Sequence, residues 1–405
     1  MKKNVLFMLL SVFSIQGSAF LSQFILAGIL PAESFAIVRT VESALQLLST
    51  IAPWGMSLLV IRLASQDRGQ EESARMLTSY IGLAGITALL IASLGSVILA
   101  STSTQFSIYL STLIWLVVIT SLSRTSLNYF YGKEQFGLIS MITFATSLLS
   151  LIILYVLANK WQLNGWVAAR YLTELIVLAI AIKFIWGKLV TKLVAKTETI
   201  KTLIEGAAIS MSLVFRSAIE NTPLLVLAYV SLDQKEIALY GLCTLLISGA
   251  MVLPTSIISV MLPRYGNMQR NGASRMAVEH VKFERIVIAT GLAVALLLMG
   301  LGLIISNVFS EKYSGLYQYL AIAAFIVPVR AFTTINANVL FVSEQTATGT
   351  KINLICAISS VLLSYVLYLV MGLWGVVTAS ILVEIAAGIL FKLHSIRITA
   401  QSISG

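Results

Sequence analysis

Apolar residues run through this chain in long, unbroken stretches separated by short polar connections. A helix needs about 20 mostly apolar residues to cross a hydrocarbon core. Twelve stretches reach that length: 5–30, 35–61, 76–100, 108–131, 137–158, 166–187, 205–230, 238–262, 286–309, 315–341, 352–371 and 375–394. The connections carry turn residues, as in Pro31-Ala32-Glu33-Ser34 and Met371-Gly372-Leu373-Trp374-Gly375. A transmembrane β-strand would instead alternate polar and apolar positions. The pattern therefore predicts an all-α polytopic membrane protein with 12 transmembrane helices. Met1-Lys2-Lys3, an apolar run and Gly17-Ser18-Ala19 have the layout of a secretory signal with its cleavage site. The apolar run continues to Leu30, however, so an uncleaved first helix is expected.

Composition narrows the class further. Of 405 residues, 58% are apolar and 11% are Asp, Glu, Lys or Arg, whereas soluble domains carry about 25% charged residues. So few charges cannot cover soluble surfaces, which excludes a soluble enzyme, a nucleic-acid binder and a disordered chain. The net charge is +10, and its meaning lies in where the cations sit. With the N-terminus inside, the inner segments carry nineteen of the 27 Lys and Arg, and the outer loops carry Lys160, Lys235 and Lys312. Cations gather in cytoplasmic loops, so both termini are expected in the cytoplasm. Cys243 and Cys356 fall inside apolar runs. No disulfide framework or zinc cluster is indicated.

Two halves repeat. Asn128, Glu134 and Gln135 match Asn338, Glu344 and Gln345 at an offset of 210 residues. The same offset pairs Gly165 with Gly375, Ala169 with Ala379, and Glu174 with Glu384. Earlier in each half an offset of 202 pairs Phe13 with Phe215 and Arg62 with Arg264. The expected organisation is an N-lobe over 1–187 with six spans, a cytoplasmic linker over 188–204, a C-lobe over 205–394, and a tail over 395–405. Lys188, Lys192 and Lys196 recur every four residues with Leu189, Leu193 and Val194 between them. That spacing predicts an amphipathic linker helix on the inner membrane surface.

Twelve spans in two sixes and an amphipathic linker resemble the multidrug/oligosaccharidyl-lipid/polysaccharide exporter superfamily. So do Pro53 and Pro254, each followed by a basic residue at the inner end (Arg62, Arg264), and the turns Leu163-Asn164-Gly165 and Leu373-Trp374-Gly375. Within it the chain is most similar to bacterial polysaccharide flippases serving O-antigen and capsule assembly. That resemblance implies two parallel six-helix lobes forming a V around a central cavity lined by spans 1, 2, 7 and 8. It implies an undecaprenyl-pyrophosphate-linked oligosaccharide as substrate, turned to the outer leaflet of the inner membrane by alternating access. It also implies a monomer among membrane lipids, working with a polysaccharide polymerase and a chain-length regulator, without a cofactor.

Ionisable residues within spans are costly, about 2.5–3.5 kcal/mol each on insertion scales. Five arginines (Arg39, Arg124, Arg170, Arg216, Arg330) and four glutamates (Glu42, Glu174, Glu220, Glu384) lie there. Arg39–Glu42, Arg170–Glu174 and Arg216–Glu220 stand three or four residues apart, on one helix face. Each pair is either mutual neutralisation or part of a substrate site. Arg124 and Arg330 lack such a neighbour and could meet Glu174 or Glu384 across the bundle. Arginine donates to phosphate in a planar fork, so Arg216, Arg39, Arg330 and Arg124, in that order, are the candidate pyrophosphate ligands. Arg170 is expected to be structural.

No G-x-x-x-x-G-K-[ST] or H-E-x-x-H motif occurs. His280 and His394 are expected on the cytoplasmic surface. Moving two negative charges outward releases roughly 4.6 kcal/mol per 100 mV of inside-negative potential. Coupling to the membrane potential, or to an ion gradient through Glu220 or Glu42, is the expected energy source. Pro53, Pro223, Pro254 and Pro328 lie inside spans as kinks or hinges. Trp161, Trp166 and Trp374 read as outer-interface anchors. Two rival readings remain. A multidrug or metabolite cation-coupled antiporter of the same superfamily would favour acidic cavities. A membrane-embedded polymerase or ligase would need a large outer loop, and the outer loops here are short.

Overall fold

A computed structural model describes residues 2–65, 70–190, 196–258, 273–308, 312–343 and 345–404. They form helices α1 (Lys2–Ile29), α2 (Ala32–Ile51), α3 (Met56–Ser65), α4 (Gln70–Ala100), α5 (Gln105–Leu113), α6 (Leu116–Gly132), α7 (Phe136–Ile185), α8 (Lys196–Val230) and α9 (Gln234–Ala250). After these come α10 (Ala273–Val308), α11 (Leu316–Ala323), α12 (Ile326–Val342), α13 (Thr346–Met371) and α14 (Leu373–Ser404). After a turn at Met251 the helix resumes over 252–258. No strand occurs among the described residues.

By length and composition, 9 helical stretches among the described residues can cross a membrane, or up to 10 if the bent pair α2–α3 is one span. The sequence pattern counts twelve for a physical reason. Residues 136–188 form one apolar helical stretch, and at 1.5 Å per residue a straight helix that long would span about 80 Å. Gln162 interrupts it with φ 53° and ψ −127°, leaving two arms over the predicted spans 137–158 and 166–187. At the other end, the side chains of residues 1–13 fall outside the described set.

The chain divides into two compact units, Met1–Leu30 with Ile37–Ser217, and Pro31–Ala36 with Ala218–Gly405. Helix α8 changes unit within its length. Residues 196–204, read from sequence as linker, are its first turns. In the first unit α1 packs on α7, α3 on α6, and α6 on both α4 and α7. Met56, Leu59, Val60, Leu63, Leu77, Tyr80, Ala84 and Ile185 form an apolar core there. In the second unit α14 packs on α12 and α13, and α10 on α12.

The repeat is visible in local geometry. The Gln135 amide donates to the Phe130 carbonyl at 3.0 Å, and the Gln345 amide to the Leu340 carbonyl at 3.0 Å. Val117 N–H meets Ile114 O at 3.0 Å, as Val327 N–H meets Ala324 O at 3.0 Å. The interruption at Gln162 recurs at Gly372, with φ 61° and ψ −141°. Beyond each interruption stands a glycine, Gly165 or Gly375, whose added Cβ would overlap the carbonyl oxygen of Leu157 or Leu367. Each pair is separated by the 210-residue offset found in the sequence.

The short Pro31–Ala36 segment belongs to the second unit. Phe35 is fully buried and meets Tyr313 edge-on, with ring centroids 6.0 Å apart. Glu33 acts on both residues of the neighbouring Lys312-Tyr313 turn. Burial pulls the Lys312 ammonium pKa down against the opposing effect of Glu33. Burial pushes the Tyr313 phenol pKa up, and Glu33 adds to it.

Candidate functional site

The four glutamates and two of the five arginines predicted inside spans gather into one arginine-centred cluster per unit. In the first unit Arg170, on the second arm of α7, presents its guanidinium to Glu42 on α2. Nε lies 3.0 Å from Oε1, and an NH2 group donates to Oε2 at 3.3 Å. The Nε–Oε1 approach is an ion-pair contact only, and the NH2 group makes the hydrogen bond. The other amino group lies 3.8 Å from Glu174, one helical turn along. Arg39 stands one turn from Glu42 on α2 and is half-buried. Helical spacing placed Arg170 with Glu174, a pair the structure contains, and Glu42 with Arg39; Glu42 also meets Arg170 across two helices.

In the second unit Arg330 on α12 takes the same central place. Its Nε donates to Glu384 Oε1 on α14 at 2.8 Å, and NH1 lies 3.9 Å from Glu220 on α8. Glu384 is fully buried, so its charge is held by arginine and not by water. The Thr333 hydroxyl donates to the Glu384 carbonyl at 3.2 Å. Beside the cluster Tyr240 and Ser380 share a hydroxyl–hydroxyl bond of 2.7 Å. Glu174 and Glu384, paired by the repeat, thus each face an arginine within their own unit.

Arg124 behaves differently. It is exposed on α6 and forms no ion pair among the described residues. The flanking residues fix its helix: Thr125 bonds Ser57 of α3 hydroxyl to hydroxyl at 3.0 Å, and the Asn128 amide donates to the Ser57 carbonyl at 3.2 Å. Eight residues separate Arg124 from Gly132 at the helix end, about 12 Å at 1.5 Å per residue. Arg216 lies half-buried on α8, within the first unit.

The prolines fall at different kinds of place. Pro53 sits in the break between α2 and α3, which bend by 50°. Trp54 follows with φ 48°, and its indole N–H donates to the Leu203 carbonyl on α8 at 3.0 Å. Pro223 lies inside continuous α8, Pro254 in the helical stretch 252–258, and Pro328 in the first turn of α12.

One cluster escaped the sequence reading. His280, expected at the surface, is 3% exposed. Its Nε2 lies 3.1 Å from Asn336 Oδ1, and the Asn336 amide donates to Glu284 Oε1 at 3.0 Å. Lys392 donates to both Glu284 oxygens, at 2.8 and 2.6 Å. The Ser395 hydroxyl reaches Asn336 Oδ1 at 3.0 Å. His280 and Glu284 belong to α10, Asn336 to α12, and Lys392 and Ser395 to α14. Lys392 and Glu284 sit where the apolar runs end, so each reads alone as a solvated terminal charge. The available signal was Asn336, an amide inside an apolar run that needs partners when buried.

Comparison with known proteins follows the same outline. A family model described as polysaccharide biosynthesis protein matches residues 1–269. Curated protein sequences return no match. Among solved structures, the chain is similar to an inward-facing multidrug resistance MATE family transporter of the MOP superfamily, with TM-score 0.76, 14% identity, and 98% of this chain and 99% of that chain covered. It is also similar to a MATE protein in the straight conformation, with TM-score 0.73, 14% identity and coverage of 100% and 96%. A third is a MOP superfamily transporter from Pyrococcus furiosus, described as having a binding pocket of reversed polarity, with TM-score 0.64, 13% identity and coverage of 98% and 94%. At such identities the likeness shows the fold: all-helical, with the two lobes of these transporters.

Proposed function

The chain belongs to the polysaccharide biosynthesis protein family, and from that premise we propose that it is a flippase for undecaprenyl-pyrophosphate-linked repeat units of O-antigen or another surface polysaccharide. It is a multi-pass membrane protein with a transporter fold. In the proposed reading it sits in the bacterial inner membrane with both termini in the cytoplasm and turns its substrate from the inner to the outer leaflet.

The observation that carries the choice of an anionic lipid-linked substrate is Arg124. Arg170 and Arg330 have carboxylates bound to them, while Arg124 is exposed and forms no ion pair among the described residues. A cation at that depth costs about 2.5–3.5 kcal/mol on insertion scales. An arriving diphosphate offsets this cost with charge-assisted, forked hydrogen bonds. Arg216 and Arg39 are the next proposed ligands, on the helices that the resemblance assigns to the substrate path.

The multidrug or metabolite antiporter remains the second reading, favoured by one observation: Arg330 faces two carboxylates, Glu384 and Glu220, an excess of negative charge suited to a cation.

Deletion in the native strain separates the two. The flippase reading expects loss of surface polysaccharide and accumulation of lipid-linked units on the cytoplasmic side. Unchanged polysaccharide with altered drug resistance would replace it with the antiporter.

A further inference from the structure

We propose that the outer end of the second unit carries a sugar subsite, built from the ring pair Tyr319–Trp374 and the Glu236 carboxylate, for one neutral hexose unit of the substrate. This subsite rests on the flippase reading and extends it from the diphosphate to the saccharide. The outer side is the one set by the cation bias.

Three chain junctions meet there. The loop before α9 is held by its own side chains. The Ser231 hydroxyl donates to Glu236 Oε2 at 2.9 Å, and the Asp233 amide donates to the Ser231 hydroxyl at 3.1 Å. Asp233 caps α9 by accepting from the Lys235 amide at 2.8 Å. From the end of α13, the Tyr368 hydroxyl donates to the same Glu236 oxygen at 3.1 Å. From the starts of α11 and α14, Tyr319 and Trp374 bring their ring centroids within 4.4 Å, with planes 37° apart. The Glu236 charge also acts on the Tyr319 phenol, so rings and carboxylate form one group.

Several polar atoms of this group are unspent. Glu236 Oε2 takes two donors, while Oε1 accepts no hydrogen bond among the described residues. The Tyr319 hydroxyl and the Trp374 indole N–H have no partner among the described residues either. Both residues are half-buried, yet neither polar atom is closed off from solvent. Gly372, in the turn between Tyr368 and Trp374, has nothing within 4 Å of the place a Cβ would take. Flat ring faces, one charged acceptor and two donors thus border open space.

That combination suits a sugar ring. An aromatic face carries the negative part of the ring quadrupole and attracts the polarised C–H groups of a pyranose. Glu236 Oε1 accepts from a sugar hydroxyl, and the indole N–H and phenol donate to others. Glu236 and Asp233 together repel an anion, and Lys235 pairs with neither among the described residues. The phosphate of a lipid headgroup is therefore disfavoured, and Trp374 has a role beyond anchoring.

The fold does not need this group. In the first unit the repeat offsets put Asn164 in the place of Trp374, Ala158 in that of Tyr368 and Ser34 in that of Glu236. Tyr109 stands for Tyr319, but its ring neighbour is Trp166, 6.5 Å away and fully buried. One unit uses its aromatic pair as packing; the other leaves the pair open beside a carboxylate.

Saturation-transfer NMR on the full-length protein in lipid nanodiscs tests this, with glucose, galactose, mannose and N-acetylglucosamine as separate probes. At least one should receive saturation on its ring C–H protons. Glu236→Gln keeps an oxygen for Ser231 and Tyr368 but turns the open acceptor into a donor, and Trp374→Leu removes a ring. Each should weaken that binding about tenfold, while Trp374→Phe keeps part of it and Trp161→Leu leaves it unchanged. No saturation of any of the four sugars, or equal binding by Glu236→Gln and Trp374→Leu, would overturn the subsite. So would transfer to glycerophosphocholine in place of sugar, which would make the rings a headgroup anchor. The deletion phenotype reads the flippase assignment separately: polysaccharide loss without sugar binding strikes the subsite alone.

Discussion

At the residue scale, the main lesson concerns how buried charges choose partners. Helical spacing identified every charge that matters in the two arginine clusters, because ionisable residues inside apolar runs stand out. It identified the Arg170–Glu174 pair and left Glu384 as one option for Arg330, but it missed the bond from Arg170 to Glu42. Neighbours three or four apart on a helix share a face, but a carboxylate on a facing helix comes closer to the guanidinium, as Glu42 does to Arg170 at 3.0 Å against 3.8 Å for Glu174. Glu42 therefore takes Arg170, and Glu384 takes Arg330. Removing Glu384 takes away the nearer partner of Arg330 and leaves only Glu220 at 3.9 Å, so Glu384→Leu should cost up to about 3–5 kcal/mol. The double change Glu384→Leu with Arg330→Leu should recover most of it, as measured by thermal unfolding in detergent. Lys392→Met should be similarly destabilising, because Glu284 loses the donor to both its oxygens. Arg124→Ala should do the opposite of these, leaving stability and membrane levels intact. Transport should fall about 10–100-fold, the worth of a charge-assisted hydrogen bond of about 1.5–3 kcal/mol. Lys at position 124 should keep part of it. Full transport by Arg124→Ala in a complementation assay would remove the residue from the mechanism.

At the element scale, the turns carry more information than the helices. Helix existence was legible because apolar length is a direct requirement of the bilayer. The helix break at Gln162 was legible only as a polar interruption, Asn159 to Asn164, and its geometry became clear beside its repeat mate. Gly372 adopts its positive φ without a side-chain penalty, whereas Gln162 adopts nearly the same conformation with one. Left-handed backbone at a non-glycine residue costs about 1–3 kcal/mol. Gln162→Gly should therefore raise the unfolding temperature, and Gly372→Gln should lower it. Gly375→Ala should be worse than either, since its Cβ would overlap backbone rather than a movable side chain. A melting series of these three variants orders them.

At the scale of the whole molecule, the cation bias makes a prediction that the helices alone do not. A cysteine at Lys160 should react with a membrane-impermeant reagent in intact cells, and a cysteine at Lys351 only after permeabilisation. The reverse pattern would invert the topology. What the sequence could not reveal at this scale is where one unit ends. A charged linker is the visible boundary, yet α8 changes unit near Ser217, and six residues near the N-terminus belong with the second unit. Such membership depends on which surfaces meet in space, and no local pattern encodes it.

Those six residues set a schedule for biosynthesis. At about 5–20 residues per second, Pro31–Ala36 leave the ribosome some tens of seconds before most of the second unit exists. During that wait Phe35, which ends up fully buried against Tyr313, has no mature pocket to enter. A chain stalled before Tyr313 therefore lacks one wall of the site that finally buries Phe35.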